Sequence, residues 1–144
     1  MEVEYAFLAD AAQTSSDGKL FVLGGGIDRI FAKKFPAVHP YMSLVLKMKL
    51  HPTECEREHN LELELWDPDG NLVGGKISGK FSATRQKGGR PSFVQLVLSI
   101  VQARFTGPGD YAFHIVIDGQ HKKEVSLYLE ESAGAEADAI QEND

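Results

Sequence analysis

The sequence predicts an all-β fold: a single antiparallel β-sandwich of seven to nine strands, immunoglobulin-like, over residues 1–130. Three observations support this prediction. Apolar residues alternate with polar ones in several segments, turn-forming residues separate those segments, and no segment shows the 3.6-residue apolar stripe of a helix. The length of 144 residues suits one domain with its own hydrophobic core.

The clearest alternation lies in residues 41–50. One predicted face carries only apolar side chains: Met42, Leu44, Leu46, Met48 and Leu50. The other face carries Ser43, Lys47 and Lys49, so we expect a strand with one side against the core and one side in water. Residues 60–66, 111–118 and 125–129 repeat the pattern and predict three further strands of this kind.

A different pattern marks residues 92–105, SFVQLVLSIVQARF, which are apolar on both faces for much of their length. A central strand that is covered on both sides has this composition. A strand that reaches into an interface has it as well. Both interpretations stay open, and the segment is a first place to look for a contact surface.

Turn-forming residues separate the predicted strands. DPDGN at residues 67–71 places Pro68 and Gly70 where a tight reversal needs a fixed and a positive φ. Asp118 and Gly119 join two alternating segments and predict a two-residue hairpin. Tyr111 follows a Gly/Pro turn, where immunoglobulin-like sandwiches hold a tyrosine whose hydroxyl fixes the crossover between sheets. An ordinary inward-facing aromatic residue would give the same pattern.

Three glycines interrupt the apolar segment GKLFVLGGGIDRI, residues 18–30. A dinucleotide-binding loop needs a third glycine where Arg29 stands and a helix after it, but Pro36 and Pro40 follow and no helical stripe does. We therefore predict a strand that the glycines bend so that it pairs with both sheets. Asp28 and Arg29, beyond the bend, are candidate binding residues.

Possible metal ligands are densest in HPTECEREH, where His51, Cys55 and His59 stand four residues apart. That spacing would align the three side chains on one face of a helix, as a zinc site requires. Pro52 and the flanking strands instead predict a connecting loop, in which the spacing guarantees nothing. We predict no cofactor and no catalytic residues, and we keep a metal- or small-ligand-binding loop as the alternative function.

The charge of the chain is concentrated at one end. Most of the net charge of −6 comes from five acidic residues after residue 130, where Lys and Arg are absent. We predict an acidic disordered tail over residues 131–144 and a nearly neutral body, which gives no general electrostatic reason to bind nucleic acid. Arg90, in the short basic segment RQKGGRP, is a further candidate binding residue. The acidic N-terminal segment and the single cysteine indicate a cytoplasmic protein that does not bind membranes.

The order of motifs resembles a bacterial family of small uncharacterised proteins. The motifs are FLADAAQ with GKLFVLGGGIDRI, then EREHNLELEL, GRP, and a final PGDY with IDG, and the resemblance covers about residues 5–130. It implies an all-β sandwich and carries over no functional residues.

The function that these features favour is a non-enzymatic interaction module. It would bind an unknown protein partner, or associate with itself, through a sheet face or a sheet edge, because exposed edges and apolar patches favour pairing. Besides residues 92–105, Trp66 is a candidate contact residue.

Overall fold

The computed structural model describes residues 1–132, which fold into nine β-strands and two short 3₁₀ turns. The strands are β1 (Glu2–Thr14), β2 (Leu20–Ile27), β3 (Arg29–Ala32), β4 (Ala37–Leu50), β5 (His59–Trp66), β6 (Leu72–Phe81), β7 (Ser92–Phe105), β8 (Gly109–Ile117) and β9 (Gln120–Glu131). The all-β prediction is confirmed. No helix in this part of the chain has the length and apolar character needed to cross a membrane.

The strands form two sheets around one hydrophobic core. Sheet A has the order β2-β1-β4-β7, and sheet B, a curled half-barrel, has the order β3-β9-β8-β5-β6. All neighbouring strands pair antiparallel except β3 and β9, which are parallel. The prediction of a fully antiparallel sandwich is therefore wrong for this one pair of strands. The physical reason is that β3 enters sheet B from sheet A instead of returning through a hairpin.

The core forms where the predicted inward faces meet. All five predicted residues of β4 are fully buried, and they join the inward residues of β5, β8 and β9 in one cluster: Met42, Leu44, Leu46, Met48 and Leu50 with Leu61, Leu63, Phe113, Ile115, Leu127 and Leu129. The expectation that the other face of β4 is wet holds only in part. Ser43 and Val45 on that outer face are fully buried as well.

The hairpin formed by β1 and β2 explains why Ser43 and Val45 are covered. The carbonyl of Gly18, in the turn of this hairpin, accepts a hydrogen bond of 3.5 Å from Gln95 Nε2 on β7. Because β4 lies between β1 and β7 in the sheet, the hairpin reaches across the outer face of β4. Its residues Leu20 and Val22 are half-buried, whereas Phe21 and Leu23 face the solvent.

The segment that is apolar on both faces, β7, is an edge strand. It pairs with β4 along almost its whole length and is the last strand of sheet A. The first of the two interpretations, a central strand covered on both sides, is therefore wrong, and an interface is the explanation that remains open. Val94, Leu96 and Leu98 point toward the core but stay partly exposed, because no other strand within residues 1–132 flanks them on this side.

The predicted turns are present. Residues 67–71 connect β5 to β6, with Asp67 Oδ1 accepting from the amides of Asp69 and Asn71, and the Asp118–Gly119 hairpin connects β8 to β9 with φ values of 51° and 80°. Tyr111 is buried, and its hydroxyl donates to the carbonyl of Gly107 at 2.8 Å. Gly107 lies in the connection that carries the chain from sheet A to sheet B, as the prediction required.

The strand β9 ends at Glu131, and the amide of Ser132 donates to the carbonyl of Ala32. The predicted acidic tail therefore lies, apart from its first two residues, outside the described part of the chain.

Candidate functional site

An open cleft of about 570 Å³ lies where the chain passes from sheet A to sheet B. The end of β2, residue Asp28 and the start of β3 form one wall, and the start of β4 forms the other. Its polar side chains are those of Asp10, Asp28, Arg29, His39 and Tyr41. The bent strand that the glycines predicted is confirmed, because residues 20–27 pair in sheet A and residues 29–32 pair in sheet B.

Two glycines make the bend. Leu8 pairs with Ile27 and Ala9 pairs with Gly25, so Gly26, at φ 85°, is an extra residue that bulges out of the β1–β2 ladder. Gly24, at φ 63°, packs so closely on the carboxylate of Asp10 that a Cβ at this position would overlap it. A side chain would thus be strained at both positions. The bend frees the following residues to join the other sheet.

Contacts with several strands position the polar groups of the cleft. Arg29 Nε lies 3.3 Å from Glu130 Oε1 on β9, and the carbonyl of Asp28 accepts from the amide of Tyr128 at 2.9 Å. The Tyr41 hydroxyl lies 3.2 Å from the hydroxyls of Ser43 and Ser99, and these hydrogen bonds lower the pKa of Tyr41. The cleft therefore offers groups of both charge signs and a hydroxyl cluster to a small polar ligand.

The candidate residues Asp28 and Arg29 line the cleft, but their neighbours in it were missed. Asp10, His39 and Tyr41 are distant from them in the chain, and no pattern in the sequence links them. Only the pairing of β1 with β2 and the start of β4 places them at one site.

A second candidate site is the outer side of sheet A, which we define as the outer face of the sheet together with the hairpin that crosses it. Among residues 1–132, eight large apolar side chains are exposed, and five of them lie on this side: Leu23 (73%), Val101 (62%), Phe21 (54%), Phe93 (51%) and Tyr41 (42%). Lys47 Nζ lies 4.9 Å from the centre of the Phe93 ring. The arrangement suits contact with another apolar surface.

Sequence reasoning found the β7 part of this surface and missed the hairpin part. Residues 20–23 are apolar on both faces, as β7 is, and that was the available signal.

Trp66 lies elsewhere, on the outer face of sheet B. It is half-buried, its Nε1 donates to Glu64 Oε1 at 3.2 Å, and its ring centre lies 5.5 Å from that of His114. The candidate residue Arg90 is exposed and follows the 3₁₀ turn Lys87–Gly89, at the start of β7. The structure therefore does not bring Trp66 or Arg90 to the cleft.

The proposed metal ligands do not form a site. In residues 1–132, no group of three or more His, Cys, Asp or Glu side chains is placed to hold a metal ion. His51 is exposed and caps the 3₁₀ turn Pro52–Glu54, while Cys55 is buried with its Sγ 3.4 Å from Ser92 Oγ. The spacing of four fails because a turn and a strand, not a helix, carry these residues.

His59 is fully engaged inside the protein. Its Nδ1 lies 2.6 Å from Asp118 Oδ2, its Nε2 lies 2.7 Å from the carbonyl oxygen of Glu54, and its ring stacks on Phe81. Burial alone would raise the pKa of Asp118, but the hydrogen bonds from His59 and from the amide of Asn60 outweigh burial and lower it. Both ring nitrogens therefore have a structural role.

The comparison with known protein families agrees with the fold. Residues 4–130 match the model of DUF6941, a family of unknown function. The chain belongs to this family, and the resemblance to an uncharacterised family is confirmed, although its bacterial origin stays a prediction. No curated protein matches the chain.

Proposed function

We propose that this protein is a non-enzymatic interaction module that binds a protein partner through the outer side of sheet A. One observation carries the proposal: five of the eight exposed large apolar side chains in residues 1–132 lie on that side. Large apolar side chains that are exposed together on one side of a protein are typical of interaction sites. Tyr41 and Phe93 are aromatic, and aromatic residues are enriched in protein interfaces.

The rest of the surface supports the choice of this side. The outer face of sheet B carries ion pairs such as Lys76 with Glu64 at 2.9 Å and Lys80 with Glu58 at 3.1 Å. A face of that kind is stable in water without a partner. We further propose that the fold is an immunoglobulin-like sandwich, with the Tyr111 hydrogen bond at the crossover as support. A cytoplasmic location and binding without nucleic acid or membrane stay predictions from the sequence.

Affinity capture with matched baits tests the proposed function. The wild-type protein, Phe93→Ser and Leu72→Ser serve as baits in cytosol from the source cells; Phe93 lies on the outer side of sheet A, and Leu72 is a 39% exposed leucine at the start of β6, in sheet B. We expect one protein, or a second copy of the bait, at near-equal stoichiometry with the wild type and with Leu72→Ser. We expect its loss with Phe93→Ser. A partner that Phe93→Ser captures as well as the wild type does, or no stoichiometric partner at all, would contradict the proposal.

A second candidate function is the binding of a small polar ligand in the cleft. The observation that favours it is that Arg29, His39 and Tyr41 line one open cavity beside Asp28. A thermal-shift screen against polar metabolites would test it, with Arg29→Gln as the cleft variant and Arg90→Gln as the matched control. A shift that Arg29→Gln removes and Arg90→Gln keeps would support this function. If no metabolite shifts the unfolding temperature, this candidate fails.

A further inference from the structure

The free edge of β7 is unlike the other three sheet edges. Between Ser92 and Gln102 the strand contains no charged residue, no proline and no glycine. The edge strand β6 carries Gly74, Gly75, Lys76 and Lys80, β3 is only four residues long, and β2 is bent by its glycines. Lysines, short strands and bends are the devices that keep edge strands from pairing with other chains. Between Ser92 and Val101, the edge of β7 has none of them.

The residue order of β7 is close to palindromic about Val97. Counting outward in both directions, Leu96 matches Leu98, Gln95 matches Ser99, Val94 matches Ile100 and Phe93 matches Val101. Each polar residue has a polar counterpart, and each apolar residue has an apolar one. Two copies of the strand, run antiparallel with Val97 opposite Val97, would therefore place like chemistry in every cross-strand pair. Such pairs are the unit from which sheets gain stability.

Other registers do not give this match. A shift that moves the two-fold axis by half a residue would set an outward residue such as Phe93 opposite an inward one such as Ile100. An axis at Leu96 would oppose Gln95 to Val97 and Phe93 to Ser99. An axis at Leu98 would oppose Gln95 to Val101. Of these axes, only the one at Val97 opposes like residues on both faces of the strand.

We propose that the partner of this module is a second copy of the chain, joined edge to edge through β7 about a two-fold axis at Val97. The pairing would merge two copies of sheet A into one eight-stranded sheet. This inference rests on the proposed function and names its partner. Pairing identical strands antiparallel generates the two-fold symmetry that most homodimers have.

Burial and charge support a second copy over a different protein. On the outer side, Phe93 and Val101 are more than half exposed, and in the dimer each Phe93 would pack on Val101 of the second copy. On the core side, the partly exposed Val94, Leu96 and Leu98 would be covered by their counterparts. The absence of charge between Ser92 and Gln102 means that self-pairing opposes no like charges along this stretch.

The polar residues of the strand suit the same arrangement. Gln95 Oε1 accepts a hydrogen bond from the Tyr5 hydroxyl, and Ser99 Oγ bonds the Tyr41 hydroxyl. Both groups thus have partners within their own copy, and the new strand pair would leave neither of them unsatisfied. The pairing would end near Gln102, whose φ of 57° breaks the extended backbone, and near Pro91, which has no amide hydrogen to donate.

Charge substitutions at Phe93 and Val101 test the proposed register. Sedimentation equilibrium would be run on the full chain for the wild type, Phe93→Asp, Val101→Lys, the double variant F93D/V101K, and the control Leu72→Lys. We expect a dimer for the wild type and the control, and a dissociation constant raised at least about tenfold for each single variant. The double variant should regain most of the affinity, because each new carboxylate faces an ammonium of the second copy.

Disulfide trapping gives a second measurement, one that reports the register of the strand pair directly. In an antiparallel pair, residues on the two-fold axis have Cα atoms within disulfide distance. Val97→Cys should therefore form an interchain disulfide under mild oxidation. Ser99→Cys, displaced from its counterpart by four residues, should not. The native Cys55 is buried and serves as the unreactive background.

The outcomes separate the two proposals. A dimer that F93D/V101K does not rescue, or one that Ser99→Cys traps as well as Val97→Cys, overturns the β7 pairing. A monomer that captures a different protein, and loses it with Phe93→Ser, also overturns the β7 pairing and leaves the interaction module standing. A monomer without any stoichiometric partner overturns both.

Discussion

The outer sides of the two sheets differ in what they carry. On sheet B, Lys76 lies 2.9 Å from Glu64 and 3.4 Å from Glu62, and hydrogen bonds to these two carboxylates raise the pKa of the lysine. On sheet A, the corresponding surface carries Phe93 and Val101, and a hairpin is folded across its middle.

The difference shows which outer side of the fold leaves more apolar surface uncovered. Sheet B faces water with ion pairs and exposes only two large apolar side chains of the described residues, Leu72 and Tyr128. Sheet A uses its own β1–β2 hairpin to cover the centre of its outer face, and it leaves Phe93 and Val101 on β7 and Phe21 and Leu23 on the hairpin exposed. A protein that covers only part of an apolar face has a site where another surface can bind.

Replacing a valine by alanine on each of the two outer sides should give the largest difference in the free energy of unfolding. Val45 lies on the outer face of sheet A and is fully buried, whereas Val116 on the outer face of sheet B is half-buried. We expect Val45→Ala to lower the free energy of unfolding by about 2 kcal/mol, because it leaves a cavity under the hairpin, and Val116→Ala by less than about 1 kcal/mol. Urea denaturation measures both. Equal losses would show that the hairpin does not cover Val45.

The glycine bend at the end of β2, where the chain passes to sheet B, should give the next largest effect. Gly24→Ala introduces a Cβ at φ 63°, next to Asp10, and should cost about 1–2 kcal/mol. Gly79→Ala, in β6 with open space around it, is the control and should change stability by less than about 1 kcal/mol. The double variant D10S/G24A should recover only the part of the loss that comes from steric overlap. If Gly24→Ala left the free energy of unfolding unchanged, backbone strain at the bend would be ruled out.

The charged side should respond to pH where the apolar side does not. The hydrogen bond from Lys76, although burial opposes it, holds the pKa of Glu64 below its ordinary value of 4.5. The ionised carboxylate therefore stabilises the fold above pH 4.5, and this stability is lost as the pH falls through the lowered pKa. The free energy of unfolding of the wild type should exceed that of Glu64→Gln by less than about 1 kcal/mol at neutral pH, and this difference should vanish in acid. A difference that persists in acid would exclude the ionised carboxylate as its cause.

The smallest change in stability is expected at the exposed margin of sheet A. Leu23→Ser should alter the free energy of unfolding by less than about 0.5 kcal/mol, since the side chain is 73% exposed. It should nevertheless reduce binding of a fluorescent dye for apolar surfaces more than Leu72→Ser does. Equal dye binding by both variants would show that the two sides do not differ in accessible apolar surface.

The sequence predicted the features that depend on local chemistry. Period-two alternation identified the inward face of β4, and the glycines with positive φ identified the strand that changes sheets. The position of β7 was not predictable, because an apolar pattern on both faces is the same for a buried strand and for an unprotected edge. The hairpin over β4 depends on a contact between Gly18 and Gln95, which no local pattern records.

The loop with His51, Cys55 and His59 shows a signal that was present and not used. His59 stands two residues before Leu61 and four before Leu63, so the alternation of β5 itself directs it toward the core. A buried histidine with partners on both nitrogens follows from that register. The metal hypothesis depended on a helical spacing that the strand does not have.

The passage of the chain through Asp28 also sets an order for folding during synthesis. Arg29 and its neighbours in β3 pair with residues of β9 that are translated roughly a hundred codons later, which is one of the longest sequence separations in the fold. The β2 half of the same segment finds its partner β1 at once, within a hairpin. A nascent chain can therefore complete this edge of sheet A early, while the β3 edge of sheet B stays open until β9 leaves the ribosome.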